Sequence, residues 1–460
     1  MKKCIFRKLP LGRELGTGKG QFHRTLDAFG LIMMGVGVMI GSGIFVVTGV
    51  AAAEHAGPGL VLSFLIAGTA CTCAALCYAE LASCIPASGG AYTFVYAGMG
   101  EIFAWFVGWC LTLEYVVAMS AVAVGWSAYV SNILPFTGIS LPGEFLTDVS
   151  SGGKINLPAV FIISAMALLQ MKGTKESARL NNILVTVKLA VILIFIAAVA
   201  GHVDPSNYDP FLPFGWEGVF SGAAVVFFAY LGFDAIANLA EEVKVPQKNM
   251  PRGILGSVGI ATVLYIAVTL MLTGVTKYFS YAGVAAPVAF ALNEAGIRWG
   301  AALVSAGAVA GLTTGVLVFL GSESRLIYSM SRDGLLPGAL SKVSASGVPG
   351  RALVCVWLAG CLLSGFLPIS TIAELCNMGT LWAFSLTAIT LMVLRKQRPG
   401  LRRSFTVPAV PAVPLTAVGM CGFLAVQLSA VTWKVFAGWV LIGMLLYLLY
   451  GKKHSKIGRL

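Results

Sequence analysis

Charged side chains are scarce in this chain. Aspartate, glutamate, lysine and arginine together make up 11% of the 460 residues, whereas about 25% is usual in soluble domains. Hydrophobic residues make up 58%, and the mean hydropathy is +0.87. This composition excludes an ordinary water-soluble globular protein and predicts a chain that lies mostly within a membrane.

Patterns for metal binding and catalysis are also lacking. The ten cysteines include no CxxC pair, and no histidine stands near them at a metal-ligand spacing. Cys71, Cys73 and Cys77 fall in one apolar run, where cysteine packs as a small hydrophobic residue. No nucleophile–base pair emerges from the motifs. We therefore expect neither an enzyme nor a bound metal or cofactor.

Long hydrophobic runs are abundant instead. Hydropathy predicts twelve membrane spans, since a spanning helix needs about 20 apolar residues. The predicted spans are 27–51, 59–83, 102–131, 157–171, 182–201, 217–240, 254–275, 299–328, 352–368, 371–394, 409–429 and 432–450.

Basic residues divide unevenly between the two predicted faces. With the N-terminus inside, twelve spans return both termini to the cytoplasm, together with most lysines and arginines. The opposite face keeps only Lys154, Lys277, Arg298 and Lys434. This asymmetry follows the positive-inside rule. It explains the net charge of +12 through contact with anionic membrane lipid, without nucleic acid.

The spans form two halves of one membrane domain. Five spans in each half is an odd number, so the second half is inverted relative to the first, as in many secondary transporters. We place the protein in the plasma (cell inner) membrane, with an uncleaved N-terminus. The predicted boundaries are 1–26 for a cytoplasmic N-terminal segment, 27–450 for the transmembrane domain, about 27–201 and 217–394 for its repeats, 409–450 for two extra helices, and 451–460 for a cytoplasmic tail.

Glycine-rich breaks occur at matching positions in the two repeats. The first is the run Gly35–Phe45 in span one, and the second is Phe228–Asp234 in span six. Glycine costs a helix about 1 kcal/mol relative to alanine, so these runs ease unwinding. Unwound backbone at membrane depth survives only where it faces protein or a watery cavity. Paired broken helices therefore point to the binding site of a transporter.

The predicted breaks offer two kinds of backbone ligand. Free N–H groups at Ser42 and Gly43, where a half-helix begins, suit a carboxylate. Free carbonyl groups suit an ammonium group, and the combination matches the zwitterion of an α-amino acid. The alternative is that the glycines only let helices cross closely. The candidate carbonyl residues are Met39, Ile40, Phe228, Ala229 and Leu231.

Four segments carry a resemblance to a known family: Ile40–Phe45, Phe227–Asp234, Glu241–Pro246 and Met330–Pro337. Over nearly its whole length the chain resembles the amino acid–polyamine–organocation superfamily, and within it the cationic amino acid transporter family and its bacterial amino acid permease relatives. The resemblance implies an all-α membrane protein with the LeuT-type fold. It also implies a 5+5 inverted repeat, with helices 1 and 6 broken and both hydrogen-bonded to an amino acid.

The same resemblance gives roles to individual residues. Phe228 would act as an aromatic gate over the substrate, and Val318 aligns roughly with a position that limits the size of the substrate side chain. The segment Gly321–Ser324 departs from the tyrosine-glycine-glutamine pattern that is usual in the family. We expect Glu323 and Arg325, near the end of span eight, to be interfacial and structural.

A lone cation lies inside span five. Lys188 stands in the apolar run Val185–Ile196, roughly 13 Å beyond Arg179 at 1.5 Å per helical residue. Intramembrane ionisable residues are candidate functional groups, and burial eases the loss of a lysine proton. In proton-coupled relatives a lysine replaces the sodium ion of sodium-coupled ones, so the resemblance implies proton coupling through Lys188. The alternative is a lysine that snorkels to the inner surface.

Two acidic residues complete the candidate site. Glu114 in span three should face the bundle interior, because an unpaired carboxylate in lipid is costly. It could meet the substrate's amino group or a basic side chain, or it could form a structural hydrogen bond. Asp234 follows the second break, where we expect it to support unwound backbone rather than to contact substrate.

These observations predict a proton-coupled importer of an L-amino acid that works by alternating access. Two alternatives stay open: an amino acid exchanger without proton coupling, and a sensor that binds amino acids without moving them. The residues leave cationic and neutral substrates open, although an apolar pocket at Phe228 and Val318 favours neutral ones. The expected partners are the amino acid, protons and membrane lipid, and a small membrane subunit is neither indicated nor excluded.

Overall fold

The described part of the chain is mainly helical and in this computed structural model comprises residues 7–9, 24–41, 43–133, 142–146, 153–284, 286–344, 346–366 and 369–456. No β-strand occurs in these ranges, although Leu26 and Val243 form an isolated bridge. The α-helices are α1 (Ala28–Met39), α2 (Thr48–Ala51), α3 (Leu60–Cys84), α4 (Gly90–Gly98), α5 (Glu101–Ile133), α6 (Leu157–Lys172), α7 (Thr174–Val199), α8 (Gly215–Val226), α9 (Pro246–Val275), α10 (Pro287–Glu294), α11 (Arg298–Arg332), α12 (Gly350–Phe366), α13 (Ile369–Gln397), α14 (Ala412–Val426), α15 (Ala430–Leu446) and α16 (Lys452–His454).

Short 3₁₀ and π segments join these helices. The π segments are Gly43–Val47, Ala52–Ala56 and Tyr447–Gly451. The 3₁₀ segments are Gly57–Gly59, Gly143–Phe145, Ala200–His202, Pro205–Tyr208, Phe227–Tyr230, Ala235–Glu242, Tyr278–Tyr281 and Gly338–Ser341. Two of them, Phe227–Tyr230 and Ala235–Glu242, continue α8 and contribute to the site described below.

Local side chains set several helix boundaries. The Asp27 carboxylate accepts a hydrogen bond from the Gly30 N–H at 2.8 Å and so satisfies a free donor at the start of α1. The Asn156 side chain caps α6 in the same way through the Ala159 N–H. Gly173, with φ of 138°, ends α6 in a conformation that favours glycine.

Eight helical stretches of the described chain are long and apolar enough to cross a membrane. They are Ala28–Cys84, Glu101–Ser131, Ser177–His202, Gly215–Glu242, Pro246–Val275, Trp299–Arg332, Cys376–Gln397 and Ala430–His454. Three shorter apolar helices, Leu157–Lys172, Gly350–Phe366 and Ala412–Val426, accompany them. The first stretch has 57 residues, which is enough for two crossings of about 20 residues each.

The helices extend beyond several predicted spans. The fifth span begins at 182 by hydropathy, whereas α7 begins at Thr174, and the seventh begins at 254, whereas α9 begins at Pro246. These first turns are polar, so hydropathy does not detect them although their backbone is helical. The short helices α4 and α10 lie between predicted spans and were not predicted.

The middle of the bundle is formed by α1 and the segment that follows α8. Helix α1 packs against α7, α9 and α11, and α5 packs against α11 and α13. The last helices lie outside this core and expose apolar side chains, such as Val426 at 75% and Leu449 at 68%. Exposed apolar surface of this kind suits contact with lipid.

Backbone hydrogen bonds join the start of α1 to the end of the segment Ala235–Glu242. The N–H groups of Thr25 and Leu26 donate to the Glu242 carbonyl at 3.0 and 3.1 Å. In return, the Lys244 N–H donates to the Leu26 carbonyl at 2.7 Å. The two elements are therefore tied together at this end of the bundle.

Candidate functional site

The α-helix of the first span ends in the middle of the bundle. Helix α1 stops at Met39, and a π segment follows from Gly43, whose carbonyl accepts a hydrogen bond from the Thr48 hydroxyl at 2.8 Å. The last carbonyl groups of a helix lack intrahelical partners, so α1 presents free acceptors here. Ser42, predicted to bind a carboxylate, lies outside the described residues. We call Ile40–Gly41 and Gly43 the first interruption.

Lys188 reaches the first interruption from α7. Its Nζ donates to the Gly37 carbonyl at 2.6 Å, to the Ile40 carbonyl at 2.7 Å and to the Thr314 hydroxyl at 3.0 Å. The side chain is completely buried. An ammonium group carries three N–H donors and no acceptor, so three acceptors satisfy it without water. The lysine therefore does not snorkel to a surface but binds the end of α1.

Thr314 of α11 completes this contact. Its hydroxyl lies 2.6 Å from the Gly37 carbonyl and 2.7 Å from the Gly311 carbonyl. Gly311 leaves room for the lysine stem, because a Cβ built on it would lie only 3.2 Å from Lys188 Cδ. Helices α7 and α11 thus hold the end of α1 jointly.

The sixth span is irregular over a longer stretch. Helix α8 ends at Val226, the segment Phe227–Tyr230 is 3₁₀, and Leu231 is extended, with ψ of 139°. Gly232 follows with φ of 114°, a conformation that strongly favours glycine. A second 3₁₀ segment, Ala235–Glu242, completes the span. We call Phe227–Asp234 the second interruption.

The Asp234 carboxylate holds the second interruption. It accepts a hydrogen bond from the Gly232 N–H at 3.2 Å and one from the Tyr115 hydroxyl at 2.5 Å. Asn238 in turn donates to the Tyr115 hydroxyl at 3.2 Å. These contacts attach the Asp234 side chain to the backbone of the second interruption and to α5.

The two interruptions touch each other. A Cβ built on Gly43 would lie 2.4 Å from Ala229 Cβ and 2.5 Å from its Cα, and one built on Gly232 would lie 2.2 Å from Val38. The Tyr265 hydroxyl lies 2.6 Å from the carbonyls of both Met39 and Ala229. A hydroxyl has one proton, so it donates to one carbonyl at a time, and the other can accept from a second donor.

Three further predicted site residues are Phe228, Leu231 and Val318. Phe228 and Leu231 are buried in the second interruption, where the Phe228 carbonyl accepts from the Leu231 N–H at 3.3 Å. Val318 lines a small cavity with Met34 and Leu239.

Glu114 lies on α5 next to Tyr115 and is completely buried. Neither of its carboxylate oxygens has a hydrogen-bond partner in the described part of the chain. The hydroxyl of nearby Thr380 donates instead to the Cys376 carbonyl at 3.1 Å. Glu114 is close enough to Asp234 for electrostatic interaction. The Asp234 carboxylate accepts hydrogen bonds, whereas the Glu114 carboxyl group has no hydrogen-bond partner among the described residues.

Glu323 and Arg325 are buried, with 0% and 4% of their surface exposed, where the sequence predicts an interfacial position. Arg325 forms an ion pair with Glu242 and donates to the Gly321 carbonyl at 2.8 Å. Glu323 has no hydrogen-bond partner among the residues described. The apolar sequence around Arg325 does not reveal that its partner is Glu242, in the 3₁₀ segment Ala235–Glu242.

Sequence reasoning missed three hydroxyl groups that organise the site. Tyr115, Tyr265 and Thr314 lie in predicted spans, but nothing in their local sequence distinguishes them from other buried tyrosines and threonines. The signal that could have found them is a hydroxyl in an apolar span at the same membrane depth as a break in another span. This signal can be used only when the relative heights of the helices are known.

Comparison with known proteins finds similarity over nearly the whole chain. The amino acid permease family matches residues 26–448. The chain is 46% identical to the methylthioribose transporter of Bacillus subtilis over 99% of both chains, and 45% identical to the branched-chain amino acid permease BcaP of the same organism over 100% of both. It is also 35% identical to the vacuolar cationic amino acid transporter 4 of Arabidopsis thaliana, over 83% of this chain and 65% of the relative.

These matches confirm the resemblance to amino acid permeases and cationic amino acid transporters that the sequence motifs indicate. The relatives are named as transporters and permeases, not as enzymes. The helical structure, with several stretches able to cross a membrane, agrees with a multi-pass membrane protein. The chain belongs to the amino acid permease family.

Proposed function

We propose that this protein is a proton-coupled importer of an L-amino acid. The observation that carries the proposal is the contact of buried Lys188 with the Gly37 and Ile40 carbonyls, at 2.6 and 2.7 Å. A protonated lysine satisfies three acceptors there, and a neutral amine has only two N–H donors left. Loss of the proton would therefore loosen the end of α1, which couples protonation to the shape of the site.

The architecture proposed for transport is the LeuT-type fold with twelve spans. Its repeats are about 27–201 and 217–394, and its extra helices lie at 409–450. The two interruptions support it, because they lie in the first span of each repeat and meet at Gly43 and Ala229. In such a fold the substrate binds between inverted repeats.

Substrate recognition would use backbone groups of both interruptions. N–H groups at Ser42 and Gly43 would receive the α-carboxylate. The Met39 and Ala229 carbonyls share one Tyr265 proton, so one of them can accept from the α-ammonium group. Phe228, Leu231 and Val318 would surround the substrate side chain. The carboxylates of Glu114 and Asp234 would either attract the α-ammonium group or support the backbone of the second interruption.

The proposed substrate is a neutral amino acid with an apolar side chain. The apolar residues around the second interruption support this class, and BcaP of B. subtilis, 45% identical, is named for branched-chain amino acids. A second candidate is methylthioribose, because a relative named for it is 46% identical over 99% of the chain. The zwitterion-matching backbone favours the amino acid, since methylthioribose has neither a carboxylate nor an ammonium group.

The proposed setting is the plasma membrane with both termini in the cytoplasm. The uneven distribution of lysine and arginine supports this orientation through the positive-inside rule. It would place the start of α1 and the end of α11 on the cytoplasmic side, with the basic loops against anionic lipid. An exchanger without proton coupling is the alternative mechanism.

The experiment that tests the proposal measures uptake into sodium-free proteoliposomes. We expect L-isoleucine to accumulate when an inward proton gradient is imposed and only to equilibrate without one. Unlabelled L-valine should compete with it, and L-arginine and methylthioribose should compete weakly. Liposomes without protein are the control.

Other outcomes separate the alternatives. Exchange against preloaded L-isoleucine, with no accumulation under the gradient, would contradict symport and support an exchanger. Competition by methylthioribose but not by any amino acid would contradict the proposed substrate. Saturable binding without flux would support a sensor.

A further inference from the structure

A carboxyl group lies buried in the interface between α5 and α11. Phe319 of α11 lies beside Tyr115 of α5, with their ring centroids 6.0 Å apart. Glu323 is four residues further along α11 and therefore on the same helix face. None of its surface is exposed. It thus lies one helical turn beyond the Tyr115–Asp234 contact, toward the end of α11.

In the described part of the chain, the polar side chain close to Glu323 on α5 is Thr112, and no ion pair includes the Glu323 carboxylate. Neither carboxylate oxygen has a hydrogen-bond partner within the described ranges. The nearby Thr112 hydroxyl donates to the Gly108 carbonyl at 3.0 Å. On α5, Glu114 is close enough to Glu323 for electrostatic interaction. This interaction is repulsive when both carboxyl groups are ionised.

Three cations on α11 or in contact with it have partners other than Glu323. Arg325, two residues along α11, pairs with Glu242. Lys188 from α7 contacts α11 at Thr314, nine residues and roughly 13 Å from Glu323 at 1.5 Å per residue. Near the end of α11, the partly buried Arg332 pairs with Glu241 and Asp333.

A buried carboxylate without a partner is costly, and such a group avoids the cost by holding a proton. Glu242 is buried like Glu323, but its carboxylate forms an ion pair with Arg325. The carboxyl of Glu323 is therefore expected to be the neutral acid in this conformation.

The segment Ala235–Glu242 packs on α11 through residues that precede and follow Glu323 in the sequence. The Ser322 hydroxyl donates to the Ala235 carbonyl at 2.9 Å, and Arg325 holds Glu242 at the other end of the segment. Both contacts flank Glu323 in the sequence of α11. Movement of this segment away from α11 would break both and admit water to the carboxyl group.

We propose that Glu323 is a second proton-binding group of the transport cycle, which holds a proton while the segment Ala235–Glu242 packs on α11 and releases it when that segment moves away. In the release step the O–H bond breaks, the proton passes to water, and the electron pair stays on the carboxylate. The role rests on the proposed proton-coupled transport. It adds to Lys188 a group that discharges its proton on the side proposed to be cytoplasmic.

The first test asks whether Glu323 is protonated, independently of transport. Infrared spectra of the purified protein in lipid nanodiscs record the C=O band of protonated carboxylic acids at neutral pH. We expect Glu323→Gln to remove one component of this band and Glu323→Asp to retain a shifted one. The matched control is Glu294→Gln, at the exposed end of α10, which should leave the band unchanged. A band that is identical in wild type and Glu323→Gln would overturn the proposal.

The second test measures coupling in proteoliposomes with the membrane potential clamped at zero. With a pH difference of about one unit, each coupled proton contributes about tenfold to the steady-state accumulation of L-isoleucine. We expect Glu323→Gln to lower this accumulation about tenfold and to preserve exchange, which also shows that the variant folds. Accumulation equal to wild type would overturn the role of Glu323.

The two tests separate this inference from the proposed function. If the wild type exchanges L-isoleucine but does not accumulate it, symport is wrong, and the cycle has no coupled proton for Glu323 to carry. If the wild type accumulates L-isoleucine and Glu323→Gln behaves like the wild type in both tests, symport stands and the role of Glu323 is wrong.

Discussion

The first and second interruptions face each other in the bundle but are held by opposite charges. At the first, the Lys188 ammonium group binds two carbonyls of α1. At the second, the Asp234 carboxylate binds the Gly232 N–H and the Tyr115 hydroxyl. Free helix carbonyls attract a cation and free N–H groups attract an anion, so each interruption has the charge that its exposed backbone groups require.

The comparison also shows a difference in anchoring. Lys188 reaches α1 from α7, with Thr314 of α11 beside it, so the first interruption is held by separate helices. Asp234 belongs to the interrupted span itself and reaches out to Tyr115 of α5. Because Lys188 lies on another helix, a change in its protonation would alter the contact between α1 and its neighbours. This makes the first interruption the better candidate for coupling.

The largest effect is expected where the interruptions touch. Gly43→Ala would place a Cβ 2.5 Å from the Ala229 backbone, which neither segment can avoid without moving. Overpacking of this kind costs about 1–3 kcal/mol, and we expect exchange of L-isoleucine to be lost. Thermal unfolding of the purified variant measures the loss of stability, and exchange in proteoliposomes measures the loss of transport.

The matched control for this change is Gly41→Ala in the same segment. Its Cβ would lie 3.6 Å from the nearest atom, the Val38 carbonyl oxygen, which is an ordinary contact. We expect it to keep most of the exchange. Equal activity of the two variants would contradict the close packing of the interruptions.

A smaller effect is expected at the second interruption. Asp234→Asn keeps the size of the side chain and removes its charge, which weakens the hydrogen bonds from Gly232 and Tyr115. A hydrogen bond to a charged group contributes about 1.5–3 kcal/mol, so we expect initial rates of exchange to fall about tenfold or more. The exposed Asp209→Asn is the control. Wild-type rates in Asp234→Asn would show that the carboxylate does not hold the interruption.

Much of this arrangement could be predicted from the sequence, because membrane solvation constrains it strongly. Long apolar runs predicted membrane helices, of which the described chain has eight long stretches and three shorter ones, and the glycine runs lie close to the ends of α1 and α8. Lys188 and Asp234 stood out because charge is expensive among apolar residues. Tyr265 and Thr314 did not, since their roles depend on the height and rotation of α9 and α11 relative to α1.

The burial of Arg325 and Glu323 could not be predicted for a related reason. A charge near the end of a span suits an interface until a partner from another span is known, and Glu242 lies 83 residues away along the chain. Only the packing of Ala235–Glu242 on α11 distinguishes the paired arginine from the unpaired glutamate. Predicting it requires tertiary structure rather than hydropathy.

The central claim is that Lys188 couples proton movement to the amino acid, and luminal pH in dye-loaded proteoliposomes tests it most directly. Addition of L-isoleucine should acidify the lumen of wild-type vesicles. Vesicles with Lys188→Met should exchange L-isoleucine without acidification, because methionine fills a similar volume and carries no proton. Acidification by Lys188→Met at the wild-type rate would contradict the claim.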